Sequence, residues 1–135
     1  MRRLQGWESR LAAVIEHARA APYCLGTHDC FRVACQAVEA LTGVDLWRAW
    51  AGRYATRQES IRLMAEYAGD FTACFTKLFE IAPAHVAQAR RGDILEYVAG
   101  DPHLGVCVGE RVAVLGERGL AFVPLAACRH VWRIG

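Results

Sequence analysis

The sequence predicts an α+β domain, with helices in its first two thirds and an antiparallel sheet in its last third. Two observations carry this. Before about residue 82 the apolar residues recur at helical spacing, and after Arg90-Arg91-Gly92 they alternate with a period of two. The turns between the alternating runs are short and hold glycine, as at Gly109-Glu110 and Gly116-Glu117-Arg118-Gly119, which suits hairpins and leaves no room for parallel crossovers. No repeat, linker or low-complexity stretch interrupts the chain, so one domain over residues 1–135 is expected.

Each element has its own reason. From Trp7 to Ala20, Trp7, Leu11, Val14, Ile15 and Ala18 form one stripe, with Glu8, Arg10, Glu16 and Arg19 largely on the other side. Pro22 to Gly26 breaks this helix. A second apolar stripe, Phe31, Ala34, Cys35, Val38, Leu41 and Thr42, predicts a helix over 29–42 that stops at Gly43. Thr27 or Asp29 has the side-chain oxygen to cap it. Asp45 to Tyr54 reads as an irregular aromatic connection anchored by Trp47 and Trp50. Thr56 then caps a third helix to about Ala68, with Ile61, Leu63, Met64 and Tyr67 as its apolar members, and a shorter helix follows over 71–79. Strands are expected at 93–98, 104–108, 111–115, 120–123 and 131–134.

Composition excludes several classes. Hydrophobic residues make up 54% and charged ones 22%, so the chain is globular and not disordered. A net charge of +2, with arginines scattered instead of gathered into a stripe, argues against nucleic acid as a partner. The mean hydropathy of +0.13 favours some apolar surface being covered by a partner. The opening Met1-Arg2-Arg3-Leu4 runs straight into a charged amphipathic segment, and no stretch approaches the ~18 apolar residues of a spanning helix. Synthesis as a soluble cytosolic chain, with no membrane insertion, is therefore expected. In that compartment the six cysteines (24, 30, 35, 74, 107 and 128) read as reduced thiols, mostly core packing.

The residues that carry chemistry are His28-Asp29-Cys30 at a helix start and His103-Leu104-Gly105-Val106-Cys107 at a strand start. A thiol attacks carbonyls as its thiolate, which a helix N-terminus favours and a neighbouring imidazole generates by taking the proton. At ~100° per residue Cys30 falls at the edge of the buried stripe, where a reactive sulfur has to sit. Alternation puts His103, Gly105, Cys107 and Gly109 on one strand face, and small residues there are expected to let the helix approach so that Cys30 meets His103. Asp93 reads as a turn cap at its strand's start and not as an acid catalyst. Cys24, His28, Cys30 and Cys35 are dense enough for zinc to be weighed, but spacings of four, two and five lack the paired knuckles of a structural site. No metal and no cofactor is expected.

These residues resemble a known family. Tyr23-x-x-Gly26 before Asp29-Cys30, Arg91-Gly92-Asp93-Ile94 opening a strand, and His103 to Gly109 are similar to the NlpC-type cysteine peptidases, a papain-like group that cuts cell-wall peptides. More narrowly, Tyr23 to Leu46, Trp50-x-Gly52-Arg53-Tyr54 and the ending Val131-Trp132-Arg133 resemble small phage and prophage proteins of the tail module. The resemblance implies a papain-like fold, Cys30 as nucleophile and His103 as base. It places Tyr23 at the substrate and the Cys30 backbone N–H in an oxyanion hole, and the neighbouring Asp29 and His28 are further candidates for the substrate side. It implies peptidoglycan peptides as substrate, tail hub or tip proteins as partners, and the virion tail as location.

The chain departs from that pattern in two places. The strand after the histidine is Val112-Ala113-Val114-Leu115-Gly116, with no polar side chain to orient an imidazole, so another orienter such as His130 is needed. Phe31 and Arg32 stand where small residues follow the nucleophile. A second reading therefore stays open: a structural adaptor of the tail tip whose thiol is a relic.

Overall fold

The computed structural model describes residues 1–135. Four helices, α1 (Trp7–Ala20), α2 (Cys30–Thr42), α3 (Arg57–Tyr67) and α4 (Phe71–Phe79), precede five strands. The strands are β1 (Ile94–Ala99), β2 (Asp101–Cys107), β3 (Arg111–Gly116), β4 (Gly119–Pro124) and β5 (Cys128–Trp132). They form one antiparallel sheet in the order β4-β3-β2-β1-β5, so β1 to β4 make a meander and the last strand returns to the far side of β1. The fold is α+β, with helices first and sheet second. No helix is long and apolar enough to cross a membrane.

The main core forms where α1 and α2 pack on the sheet. Leu11, Ile15 and Ala18 of α1 meet Val33, Ala34, Ala37, Val38 and Leu41 of α2, and these lie on Ile94, Leu104, Val106, Ala113, Leu115 and Trp132. α4 adds Phe75 and Phe79 against the Trp132 ring, whose Nε1 donates to Thr76 Oγ1 at 3.1 Å. The other sheet face carries a smaller core of Leu95, Cys107, Val112, Val114, Cys128 and Val131. Two single 3-10 turns, Val86–Gln88 and Leu125–Ala127, lie against it through Val86 and Leu125.

Two buried carboxylates fasten the layers. Asp93 is fully buried and accepts from Arg90 N (2.8 Å), Ile134 N (3.0 Å) and Arg3 Nη2 (2.9 Å), so it joins both chain ends to the start of β1. It is a structural cap, as the sequence predicts. Glu96 is also fully buried, accepting from Thr72 Oγ1 of α4 at 2.6 Å and pairing with Arg129.

The expectation about β2 is corrected. Leu104 and Val106 face α2, while Gly105 and Cys107 face away from it: a Cβ on Gly105 would lie 2.4 Å from Val112 Cγ1, inside the second core. The large residues of β2 fill the space beneath the helix, and the small ones let β3 side chains fold over the opposite face. The strand also starts earlier than expected, at Asp101. Pro102 fits there because β2 pairs with β3 only at Val106 and Cys107, leaving its first half paired on one side.

Candidate active site

The start of α2 is built around Asp29. Its backbone is extended (φ −130°), and its Oδ1 accepts from Arg32 N at 2.9 Å, which caps the helix. Its Oδ2 accepts from Gly26 N (2.9 Å) and from the Tyr54 hydroxyl (2.6 Å). With 3% of its surface exposed and three donors bound, this carboxylate is spent on holding the loop. Burial, and then the Asp29 charge, push the Tyr54 phenol far above its ordinary range, so it stays a neutral donor. Tyr54 grips the loop twice: Gly26 has φ +91°, and a Cβ there would lie 2.3 Å from Tyr54 O. Only glycine fits both the backbone angle and the contact.

Cys30 is half-buried at the first position of α2. Burial pushes its thiol up to about 11, and the Asp29 carboxylate adds to this; the backbone N–H groups of Leu104, Phe31 and Cys30 itself act in the opposite direction. Burial wins, so at neutral pH the sulfur carries its proton. The surrounding amides are nevertheless donors of the kind that hold a negative charge developing on sulfur or on an adjacent carbonyl oxygen.

Cys30, His103, Tyr23 and Asp29 all line one cavity of about 510 Å³. Within it, the sheet's contribution beside the sulfur is the Leu104 backbone N–H. His103 stands opposite Tyr97 in the β1–β2 register, with ring centroids 6.3 Å apart, and Tyr97 packs on the second core, away from α2. Tyr23 is half-buried; burial raises its phenol, with Asp29 and Cys30 adding to the shift.

His28 does not line this cavity. Its ring packs edge-on against His17 of α1 at 5.7 Å, and its Nε2 is buried without a hydrogen-bond partner. His130 pairs with Glu96 in β5, which is separated from β2 by β1 and lies on the helix-side face, so it cannot orient His103. The His103 face of β2 is turned from α2 toward Tyr97, so the small residues on that face do not bring Cys30 and His103 together as expected.

The rest of the cavity comes from residues that sequence reasoning assigned to packing. Met64 and Tyr67 of α3, Phe71, Phe75 and Leu78 of α4, and Leu104 form an apolar part of its wall. No α3 residue is fully buried and Ile61 is 50% exposed, while Met64 and Tyr67 are half-buried against the main core, so the apolar stripe of α3 is shared between core and cavity. Arg57 and Asp101, both exposed, form an ion pair that links the start of α3 to the start of β2. The aromatic connection also belongs here: Trp50 packs edge-on against Tyr67 at 5.0 Å. No three His, Cys, Asp or Glu side chains are grouped to hold a metal ion, and all six cysteines are free.

Fold and site together define an α+β domain with a thiol at a helix N-terminus, opening on an apolar cavity. The chain belongs to the family described as Domain of unknown function (DUF6950), whose model matches residues 2–134. No curated protein matches it.

Proposed function

We propose that the protein is a cysteine-dependent amide hydrolase of papain-like, NlpC type, acting on peptidoglycan peptides from a phage tail, with Cys30 as nucleophile and His103 as base. The observation that carries this is the position of Cys30: first residue of a capped helix, on a cavity that His103 and Tyr23 also line. The reaction requires the His103 ring to turn from Tyr97 into the shared cavity; the thiol proton then passes to the imidazole as Sγ bonds to the amide carbon. The oxyanion so formed accepts from backbone N–H groups. The C–N bond then breaks, the amine leaves with the proton, and water cleaves the resulting thioester to restore the thiol and release the acid.

A second reading, a tail-tip adaptor with a silent thiol, is favoured by particular observations: the raised thiol pKa, the His103 ring beside Tyr97, and the apolar β3. Digestion of purified sacculi separates the two. The hydrolase reading expects release of new amino groups by the wild type, and none by Cys30→Ala. Equal release by both proteins, or none by either, overturns it.

A further inference from the structure

The cavity is more apolar than a site for polar wall peptides requires, and this leads beyond the reaction to what the site accommodates. Of its 24 lining residues, 16 are hydrophobic. Among the polar ones, Asp29 is engaged by its three donors and Arg57 and Asp101 by each other at the exposed side, which leaves His103, Glu117 and the Tyr23 hydroxyl. Little remains on the inner wall to recognise peptide N–H and C=O groups, and an unmatched polar group there is costly. The apolar face of α3, half-buried at Met64 and Tyr67, lines this space together with Phe71, Phe75 and Leu78 of α4.

We propose that the cavity binds an aliphatic acyl chain of roughly a dozen carbons, with its carbonyl end toward Cys30. Only the placing of that end rests on the reading of Cys30 as the reacting thiol. The volume agrees: about 510 Å³, at ~30 Å³ for each water-sized unit, holds at most about 17 such groups, some of them at the open side. The polarity agrees as well. The chain meets Met64, Phe71, Phe75, Leu78 and Leu104, its carbonyl oxygen meets the backbone N–H groups around Cys30, and its polar attachment leaves past Arg57 and Asp101.

The test is displacement of a fluorescent fatty acid, cis-parinaric acid, by saturated fatty acids of four to sixteen carbons. The wild type and Met64→Glu are compared, and a thermal melt of each shows that it is folded. Met64 lines the cavity and is only half-buried against the main core, so a carboxylate there charges the wall while the fully buried core residues stay in place. The probe is expected to bind saturably, with affinity rising about threefold to fourfold per methylene up to about twelve carbons and then levelling. Met64→Glu should bind at least tenfold more weakly than the wild type.

Absence of saturable binding, affinity independent of chain length, or unchanged binding by folded Met64→Glu each overturns the proposal and leaves the cavity to an apolar side chain of a protein partner. The outcome is separable from the reaction. Chain binding without wall digestion keeps this inference and removes the hydrolase, and digestion without chain binding does the reverse.

Discussion

Alkylation of Cys30 across a pH series measures whether burial or the surrounding amides control the sulfur. Burial lifts the thiol from 9.0 to about 11, so at pH 8 its thiolate fraction is about 100-fold below that of an ordinary cysteine. The more basic thiolate is intrinsically more nucleophilic, which offsets about sixfold to tenfold of this. The net expectation is alkylation roughly 10- to 15-fold slower than at a free thiol, before any steric shielding. Cys24 is exposed and gives the internal reference. The two share the stretch between Arg19 and Arg32, so iodoacetamide adducts are assigned by fragmenting that tryptic peptide. The Cys30 rate should climb about tenfold per pH unit to about 11. A rate already level between pH 6 and 7 would mean a thiolate formed at neutral pH, and the argument that burial prevails would be refuted.

Four further outcomes follow from the same geometry. Gly26→Ala forces both a positive φ and a contact with Tyr54 O, and should lose more than about 3 kcal/mol in urea unfolding, whereas Gly52→Ala, with φ +76° and open space around it, should lose about 1 kcal/mol; equal losses would remove the clamp. Tyr54→Phe takes one of three donors from buried Asp29 and should lose about 1–2 kcal/mol, and an unchanged urea midpoint would show the bond to be idle. Asp93→Ala strands Arg3 and two backbone donors and should lose about 3–5 kcal/mol; a loss below 1 kcal/mol contradicts the staple. Cys30 and Cys128 are both raised to about 11. The native state therefore holds protons that the unfolded chain releases from about pH 9.0, and stability should fall between there and pH 11 by up to about 2.7 kcal/mol per thiol. Flat urea midpoints from pH 8 to 10.5 would refute it.

Helices and strands were legible because their periods differ and change at Gly92. The orientation of β2 was not. Both of its faces are buried, one under α2 and one under the 3-10 turns, so neither carries the polar residues that tell inside from outside. The cap at Asp29 was readable from its place before an apolar stripe, yet its bond to Tyr54 spans 25 residues and no spacing rule reaches that far. Burial of Glu96 was hidden for a similar reason, since Thr72 and Arg129 come from other elements. The stripe of α3 was correctly periodic, but periodicity does not distinguish a face on a core from a face on a cavity.

Intact-mass measurement of acid-quenched protein after mixing with wall peptides tests the central claim about Cys30 most directly. The account predicts an acyl adduct on Cys30 that hydroxylamine removes and that Cys30→Ala never forms. No adduct at any quench time, or one carried equally by Cys30→Ala, would contradict it.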